Sequence, residues 1–560
     1  MFKRIICVVM AAALGLFLYV TAARTSDYLY GASDEGEMGN GEMSAGISAD
    51  PNTLVLWYTD DALTEFLTSA GLSFQKETGV RVEPVLTSGV EFLEKINSAS
   101  LTDESDRREL PPDVYITTHD VLLKAYLSGL AMPIEDASEF LIPSNFPNTA
   151  INAVTCYGSY VGYPLYYETN YFLYNKTYMA SIAQNRIESE ADLAEGTAAQ
   201  EEADNVSKKP EDSEVLKLEE DKKEDTEDGT KADSGDTDGA GDADGGDTAD
   251  TGDADGGDAE GTEDADADAD PMGQEDVLAS AEVLERLATM IPSTIDDITT
   301  FANNYDAPEA VESVFEWDVS DIFYNYFFVG NYMEVGGQAG DNTAIFNIYN
   351  QQAVDCLKVF QSMNQFFSID AKTVSYDNIL DDFISGKTVF TVATTDAIAR
   401  IEKAKAEGTF DFEYGVTVLP DISSLLKARG LSVTTVAAVN GYSDKSDTAA
   451  AFARYICEEK SSDFYKKAGK ISCKKGVAYD NSEINNIMDE YEKSMPLPKM
   501  VEASNYWVQL EIAMTKIWDG ADPDETLKEF SETMGGQIDK IRADLPTQES
   551  FRGGAAGLIE

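Results

Sequence analysis

Several acidic residues in this sequence stand where a strand end or an aromatic run would present them to a ligand. Asp60 and Asp61 follow the apolar run TLVLWY (53–58). Asp120 follows DVYIT (113–117) and the chain's single histidine, His119. Glu168 lies in YYETNY, beside Tyr166, Tyr167 and Tyr171. Ionised carboxylates accept hydrogen bonds from hydroxyls, and flat aromatic faces cover the apolar C–H faces of a ring. Together they suit a concave site with a few placed polar groups. Paired carboxylates such as Asp60 and Glu168 also suit glycoside hydrolysis, which turns on a separation that sequence does not supply. No nucleophile motif, metal cluster or cofactor loop accompanies them. The residues therefore read as a binding site without a cofactor or metal, and not as an enzyme. The five cysteines show no tight CxxC-type spacing.

The elements around these residues alternate. TLVLWY (53–58), VRVEPVL (80–86) and DVYIT (113–117) read as strands. Between the first two, Leu63, Phe66, Leu67, Leu72 and Phe74 mark a helix with a covered face. VLLKAYLSGL (121–130) reads as a helix ending near Gly129, YGSYVGYPL (157–165) as a tight hairpin and NYFLYN (170–175) as a strand. This is βαβ order and implies a largely parallel sheet in an α/β fold. Further on, 277–290, 315–333, 344–367, 444–459, 485–493, 504–518 and 523–541 are expected to be helical. Strands are expected at 388–394, 412–420 and 433–439.

The chain has 560 residues and a formal net charge of −62. Such acidity argues against a nucleic-acid partner, because phosphate binding needs concentrated Lys and Arg. Lys3 and Arg4 precede an apolar run over 5–22. Residues 1–23 read as a signal peptide or an N-terminal membrane anchor, and either places the rest outside the cytoplasmic membrane, secreted or tethered at the cell surface. Residues 24–50 read as a flexible linker. Residues 179–300 contain no aromatic side chain, and 211–270 carry 26 Asp or Glu against four Lys. An acidic disordered insert is expected over 185–272. Cys156, Cys356, Cys457 and Cys473 would all reach the oxidising side. Cys457 and Cys473 either close a short loop or are small buried side chains.

Several segments, in order, resemble the family 1 extracellular solute-binding proteins, the maltose/maltodextrin-binding class of ABC transporters. They are LVLWYTDD (54–61), SFQKETGVRVE (73–83), PPDVYITTHDVLLKAYLSGLAMPI (111–134) and NAVTCYGSYVGYPLYYETNYFLYNK (152–176). Later come DDFISGKTVFTVATT (381–395), YGVTVLP (414–420) and MPLPKMVEASNYWVQLEIAMTKIWDGADPDETLKEF (495–530). The resemblance covers most of 52–178 and 285–540. It implies a periplasmic-binding-protein-like type II fold, with two α/β lobes around a ligand cleft and crossing hinge segments. Lobe 1 would take 52–165 and a return with hinge at 386–440. Lobe 2 would take 166–385, interrupted by the insert, and most of 441–540 with cleft-lining helices. Residues 541–560 would be a C-terminal tail.

The resemblance also implies roles. Asp60 and Asp61 would contact ligand or form a solvated turn. Asp120 would contact ligand or cap a helix, and Glu168 would bind ligand or make a structural hydrogen bond. Tyr324 and Tyr326 lie where the family places an aromatic platform, or are core. Trp507 would stack on the ligand. Thr117 and Asp396 stand where maltose binders carry tryptophans, which weakens maltodextrin as the ligand and leaves smaller, amino or more polar solutes open. The implied function is capture of a carbohydrate by lobe closure and delivery to permease transmembrane subunits, by a monomer. The alternatives are import of a polar non-sugar solute and a surface-anchored sensory or adhesion module.

Overall fold

The computed structural model describes residues 50–206, 277–278 and 280–544. The expected signal or anchor at 1–23, the linker up to residue 49, most of the acidic insert and the tail beyond 544 lie outside the described residues. Asp50–Pro51 and Leu93–Pro111 belong to a small unit of their own. There the Arg107 side chain donates from Nε to the Thr102 carbonyl (3.0 Å). Everything else described belongs to the second unit, 52–92 and 112–544, which carries every candidate site residue.

Its sheet is one path of strands: Arg81–Leu86, Thr53–Tyr58, Val114–Thr118, Leu431–Val439, Tyr163–Asn175, Thr388–Thr394 and Ser313–Phe315. The first three are mutually parallel, as the βαβ order requires. Leu431–Val439 runs antiparallel to Val114–Thr118. The strand Tyr163–Asn175 is shared between two groups of strands, which we term the first lobe (53–58, 81–86, 114–118 and 431–439) and the second lobe (388–394 and 313–315). Its residues 163–169 pair with 432–437, and its residues 170–174 pair with 390–394. It is thus a crossing segment. Pro164 has no N–H to give the ladder, and the register slips between Thr435 and Val436, opposite this proline. The Leu165 carbonyl accepts from the Cys473 amide instead (3.0 Å).

Asp113, at the entry to Val114–Thr118, ties the first lobe together. Its carboxylate accepts from the Val55 amide (2.9 Å) and the Ser443 hydroxyl (2.6 Å), and pairs with the Lys445 ammonium at 3.0 Å. Helix Thr64–Thr78 covers this side. Phe66 stacks on Phe464 (3.9 Å between centroids) and Phe74 meets Phe452 edge-on (5.1 Å). In the second lobe Trp317 is the centre. It stacks on Phe315 (4.7 Å), meets Trp518 edge-on (5.6 Å), and donates its indole N–H to Asn325 Oδ1 (2.9 Å).

A short strand, Met495–Pro496, lies beside Leu431–Ser432. Lys499 follows it and is buried. Its ammonium donates to the carbonyls of Asn152 (2.7 Å) and Ala153 (2.9 Å), at the end of helix Asn148–Ala153. Burial brings its pKa down to about 8.

The structure refines the sequence reading, and first in the sheet, which is mixed and not largely parallel: Tyr163–Asn175 pairs antiparallel with both Leu431–Val439 and Thr388–Thr394. Helix Lys176–Val206 runs well into the span assigned to the insert, through a stretch of Ala, Glu and Gln, all good helix formers. Strand Thr388–Thr394 pairs with 170–174 and with Ser313–Phe315. Helices Ser446–Glu458 and Asp463–Ala468 pack on Thr64–Thr78. The expected helices at 315–333 and 344–367 shrink to Ile322–Asn325 with a 3-10 turn Tyr326–Phe328, and to Gln351–Phe367. Asp321 and Asn350 cap their starts by accepting from Phe323 N and Ala353 N. Of the two readings of Cys457 and Cys473, the structure shows small buried side chains: both are free and buried, like Cys156 and Cys356. The Cys457 thiol meets the Pro164 carbonyl (3.1 Å) and the Cys473 sulfur the Tyr491 hydroxyl (3.7 Å). Among the described residues, no helix is long and apolar enough to cross a membrane.

Candidate functional site

Glu168 is the one residue of the thirteen in the crossing strand that is not buried. The other twelve are buried, so the strand presents its one accessible carboxylate at a single point. Asp60 reaches the same place from the first strand. It is the N-cap of the 3-10 turn Asp61–Leu63, and its Oδ1 accepts from the Ala62 amide (3.0 Å). Lys470 joins the two. Its ammonium lies 2.9 Å from Asp60 Oδ2 and 3.6 Å from Glu168 Oε1, and 5.3 Å from the centre of the Tyr166 ring.

The local chain explains how Lys470 gets there. Helix Asp463–Ala468 stops at Gly469, which takes the left-handed conformation with φ +65°. Ile471–Ser472 then pairs with Tyr166–Tyr167 on the crossing strand. Burial alone would lower the Lys470 pKa. Tyr166, Asp60 and Glu168 outweigh it and hold the ammonium above its usual range. Asp60 therefore has both carboxylate oxygens engaged, whereas Glu168 is about half exposed (47%) and more loosely held. Asp61 points away into solvent and accepts from the Thr64 hydroxyl (3.2 Å), as a helix-start residue does.

His119 and Asp120 follow strand Val114–Thr118 in a 3-10 turn. His119 is fully buried. Its Nδ1 accepts from the Thr434 amide (3.0 Å), and its Nε2 lies 3.1 Å from the Leu497 carbonyl. These partners assign the neutral tautomer with the proton on Nε2. The imidazole thus pins the turn that carries Asp120, itself half-buried, to the segment that follows Met495–Pro496. Burial, with Lys499 nearby, brings the His119 pKa down to about 4. Glu490 is its counterpart. Buried, and accepting from the Leu419 amide (3.2 Å) in the crossing segment ahead of Leu431–Val439, it is pushed up to about 7.

The two titrations oppose each other. Between its folded pKa near 4 and the ordinary 6.5, His119 binds a proton in the unfolded chain only. Stability therefore falls as pH drops through that window, by about 3 kcal/mol in all. Between the ordinary 4.5 and 7, Glu490 holds a proton in the folded chain only. Its contribution is full below 4.5 and is lost as pH rises to 7. Glu490→Gln is expected to unmask the histidine slope. The variant should lose stability relative to the wild type as pH falls from 6.5 to 4.5. Urea midpoints at stepped pH check this, and parallel curves for the two proteins would refute it.

The aromatic candidates fall into two groups. Tyr324 is nearly buried and stacks on Tyr376 (4.8 Å, 25°). The Tyr376 hydroxyl lies 2.9 Å from Asp396 Oδ1, and the Thr394 hydroxyl contacts the same oxygen. The acidic residue at 396 therefore closes a polar cluster at the end of strand Thr388–Thr394. Thr395 donates to the Tyr167 carbonyl (3.4 Å), which sets this cluster alongside the crossing strand near Glu168. Tyr326 is 1% exposed and packs in the second-lobe core. It meets Trp507 edge-on (5.3 Å), and Trp507, partly exposed, also meets Tyr506 (4.9 Å). Thr117 lies in strand Val114–Thr118 opposite Val436.

The structure thus brings Asp60 to Glu168 and Tyr326 to Trp507, with Asp61 standing apart from both. Sequence reasoning missed Lys470 and Tyr376. The helix-ending Gly469–Lys470 step was readable, but the partners of Lys470 come from far upstream in the chain. Among the described residues, no group of three or more His, Cys, Asp or Glu could hold a metal ion.

No family model matches the chain, and no curated protein matches it in sequence. Solved structures do match. An extracellular solute-binding protein from Staphylococcus aureus in complex with maltose aligns over 88% of this chain and 100% of its own, with TM-score 0.59 and 16% identity. A cyclo/maltodextrin-binding protein complexed with maltotetraose aligns over 88% and 98%, with TM-score 0.58 and 17% identity. A maltose-binding periplasmic protein from Listeria monocytogenes in complex with maltose aligns over 88% and 99%, with TM-score 0.57 and 14% identity. At such identities the likeness is one of fold: the chain has the periplasmic-binding-protein-like α/β architecture.

Proposed function

We propose that this chain is the extracytoplasmic substrate-binding component of an ABC importer, capturing a carbohydrate without chemical turnover. The observation that carries this reading is the placement of Glu168. It is the single accessible side chain of the crossing strand, joined through Lys470 to Asp60 at the end of the first strand. A binding protein that closes by hinge motion needs its polar contacts where the lobes meet. The sugars held by the structural neighbours, maltose and maltotetraose, favour a carbohydrate.

In this reading Glu168 accepts from ligand hydroxyls, Asp120 adds a second acceptor, and Trp507 and Tyr324 offer apolar faces. Asp60 acts mainly by holding Lys470, with Asp61 at the rim and Tyr326 backing Trp507. Solute enters between the lobes, closure removes water, and the closed form docks on permease subunits. Closure follows only if the ligand binds the closed state more tightly than the open one.

Thermal unfolding of the purified chain against mono- and oligosaccharides, amino sugars and polar non-sugars tests the reading. A ligand at about a hundred times its Kd is expected to stabilise the native form by about 2.7 kcal/mol. Glu168→Gln combined with Trp507→Ala should abolish that shift while leaving the unliganded transition cooperative. A panel without a single stabilising saccharide would move the reading to a polar non-sugar solute or to a surface sensory or adhesion role.

A further inference from the structure

Lys470 stands between two carboxylates that would otherwise face each other uncompensated. Asp60 Oδ2 is 2.9 Å from its ammonium and Glu168 Oε1 is 3.6 Å away. The side chain is one-fifth exposed, so the charge is not left to solvent alone. The Tyr166 ring beneath it, with its centre 5.3 Å away, is itself 4% exposed and fixed against Phe464. Main-chain pairing of Ile471–Ser472 with the crossing strand sets the position of the lysine's backbone. The cation is thus built into the wall and does not swing freely.

That position has a consequence for which solutes fit. Without Lys470, Asp60 and Glu168 would present two negative charges to the ligand, and a protonated amine would satisfy both. With Lys470 in place, the same point already holds an ammonium. A second one would meet like-charge repulsion at short range, and specificity built on such repulsion needs no new attractive contact. A neutral hydroxyl meets no such barrier and still finds acceptor capacity on Glu168 Oε2.

We propose that Lys470 is a specificity-determining residue that occupies the cation position between Asp60 and Glu168 and so selects uncharged, hydroxyl-bearing solutes over amine-bearing ones. This deepens the carbohydrate-binding reading and rests on it. It also makes the neutral sugars of the panel better candidates than free amino sugars.

The test uses the full chain and matched saccharides that differ in whether a ring substituent is neutral or a protonated amine. Glucose is compared with glucosamine, and N,N′-diacetylchitobiose with its fully deacetylated form. Binding is measured by calorimetry at about pH 6, where the amines are protonated. The wild type should prefer the neutral member. Lys470→Met should shift the ratio of amine to neutral affinity by at least about tenfold toward the amine, and Lys470→Arg should restore the wild-type ratio. Adding Glu168→Gln to Lys470→Met should reverse most of the gain. The unliganded melting transition of each variant separates a folding defect from a change in selectivity.

The outcomes are distinguishable. An unchanged ratio in Lys470→Met overturns the role of Lys470 while leaving saccharide binding in place. Amine binding gained by Lys470→Met, with no neutral saccharide bound by the wild type, supports exclusion of amines by Lys470 and counts against a neutral saccharide as the ligand. Binding of neither class by either protein overturns both.

Discussion

Replacing Asp113 by alanine is expected to lower the stability of the chain by about 3–5 kcal/mol. The carboxylate side chain is 8% exposed and its partner Lys445 is 20% exposed. Removing one member of so dry a pair leaves the other buried without its counter-charge, and that penalty is larger than the pair's own net worth. Two further losses add to it. The Val55 amide and the Ser443 hydroxyl both lose their acceptor. Lys445 also donates to the Thr53 carbonyl and cannot simply swing into water without giving up that bond. Asp113→Asn keeps an acceptor but not the charge, so it should fall between the two. Urea unfolding followed by tryptophan fluorescence would measure the difference. A loss below about 1 kcal/mol would mean that the pair behaves like an exposed one. The strand that Asp113 anchors leads directly to His119 and Asp120, so the alanine variant should also weaken saccharide binding.

Trp317→Ala carries the second large effect, again about 3–5 kcal/mol. The indole is fully buried and packs between Phe315 and Trp518. Deleting it opens a cavity that rigid aromatic neighbours cannot collapse to fill. It also orphans Asn325 Oδ1, whose amide nitrogen holds the carbonyls of Asp318 (3.0 Å) and Asp321 (2.6 Å). Trp317→Phe separates the two causes. It keeps most of the volume and removes the hydrogen bond, and should cost about 1–3 kcal/mol. Asn325 sits between Tyr324 and Tyr326. A ligand-binding defect beyond the stability loss would therefore show that the indole also sets these rings. Equal losses for the alanine and phenylalanine variants would assign the effect to the hydrogen bond instead of the cavity.

Much of the first lobe was legible because its strands are short apolar runs separated by a patterned helix. TLVLWY and its two parallel neighbours occur where the pattern puts them. The second lobe was less legible. The stretch around Trp317 is buried on nearly every side, so its aromatic residues carry no helical period, and caps at Asp321 and Asn350 decide the short elements. Within 386–440 the pattern does not say which strands each part joins. Apolar strand patterns give no local mark of the partner: Thr388–Thr394 pairs with 170–174, whereas Leu431–Val439 pairs with Val114–Thr118. In the candidate site, Glu168 was legible as a lone charge among tyrosines. Lys470 was not, because a lysine after a helix-ending glycine reads as surface until the fold brings Asp60 and Glu168 to it. His119 was visible as the single histidine, but its work in pinning Thr434 to Leu497 through one ring depends on contacts that no spacing reveals.

Helix Lys176–Val206 leaves the second lobe, and helix Ala281–Met290 returns beside it, with Arg286 paired to Glu190. The departing and returning chains are therefore neighbours, and what lies between them is free to drift in length over evolutionary time. Each doubling of a loop costs only about 0.6 kcal/mol in closure entropy, less than the effect of many single substitutions. Two helices that already meet fix the distance to be closed, so a change in the number of residues joining them alters stability little. For the same reason this connection is the natural place to open the chain for a circular permutant, or to graft a reporter whose signal follows the movement of the lobe that carries it.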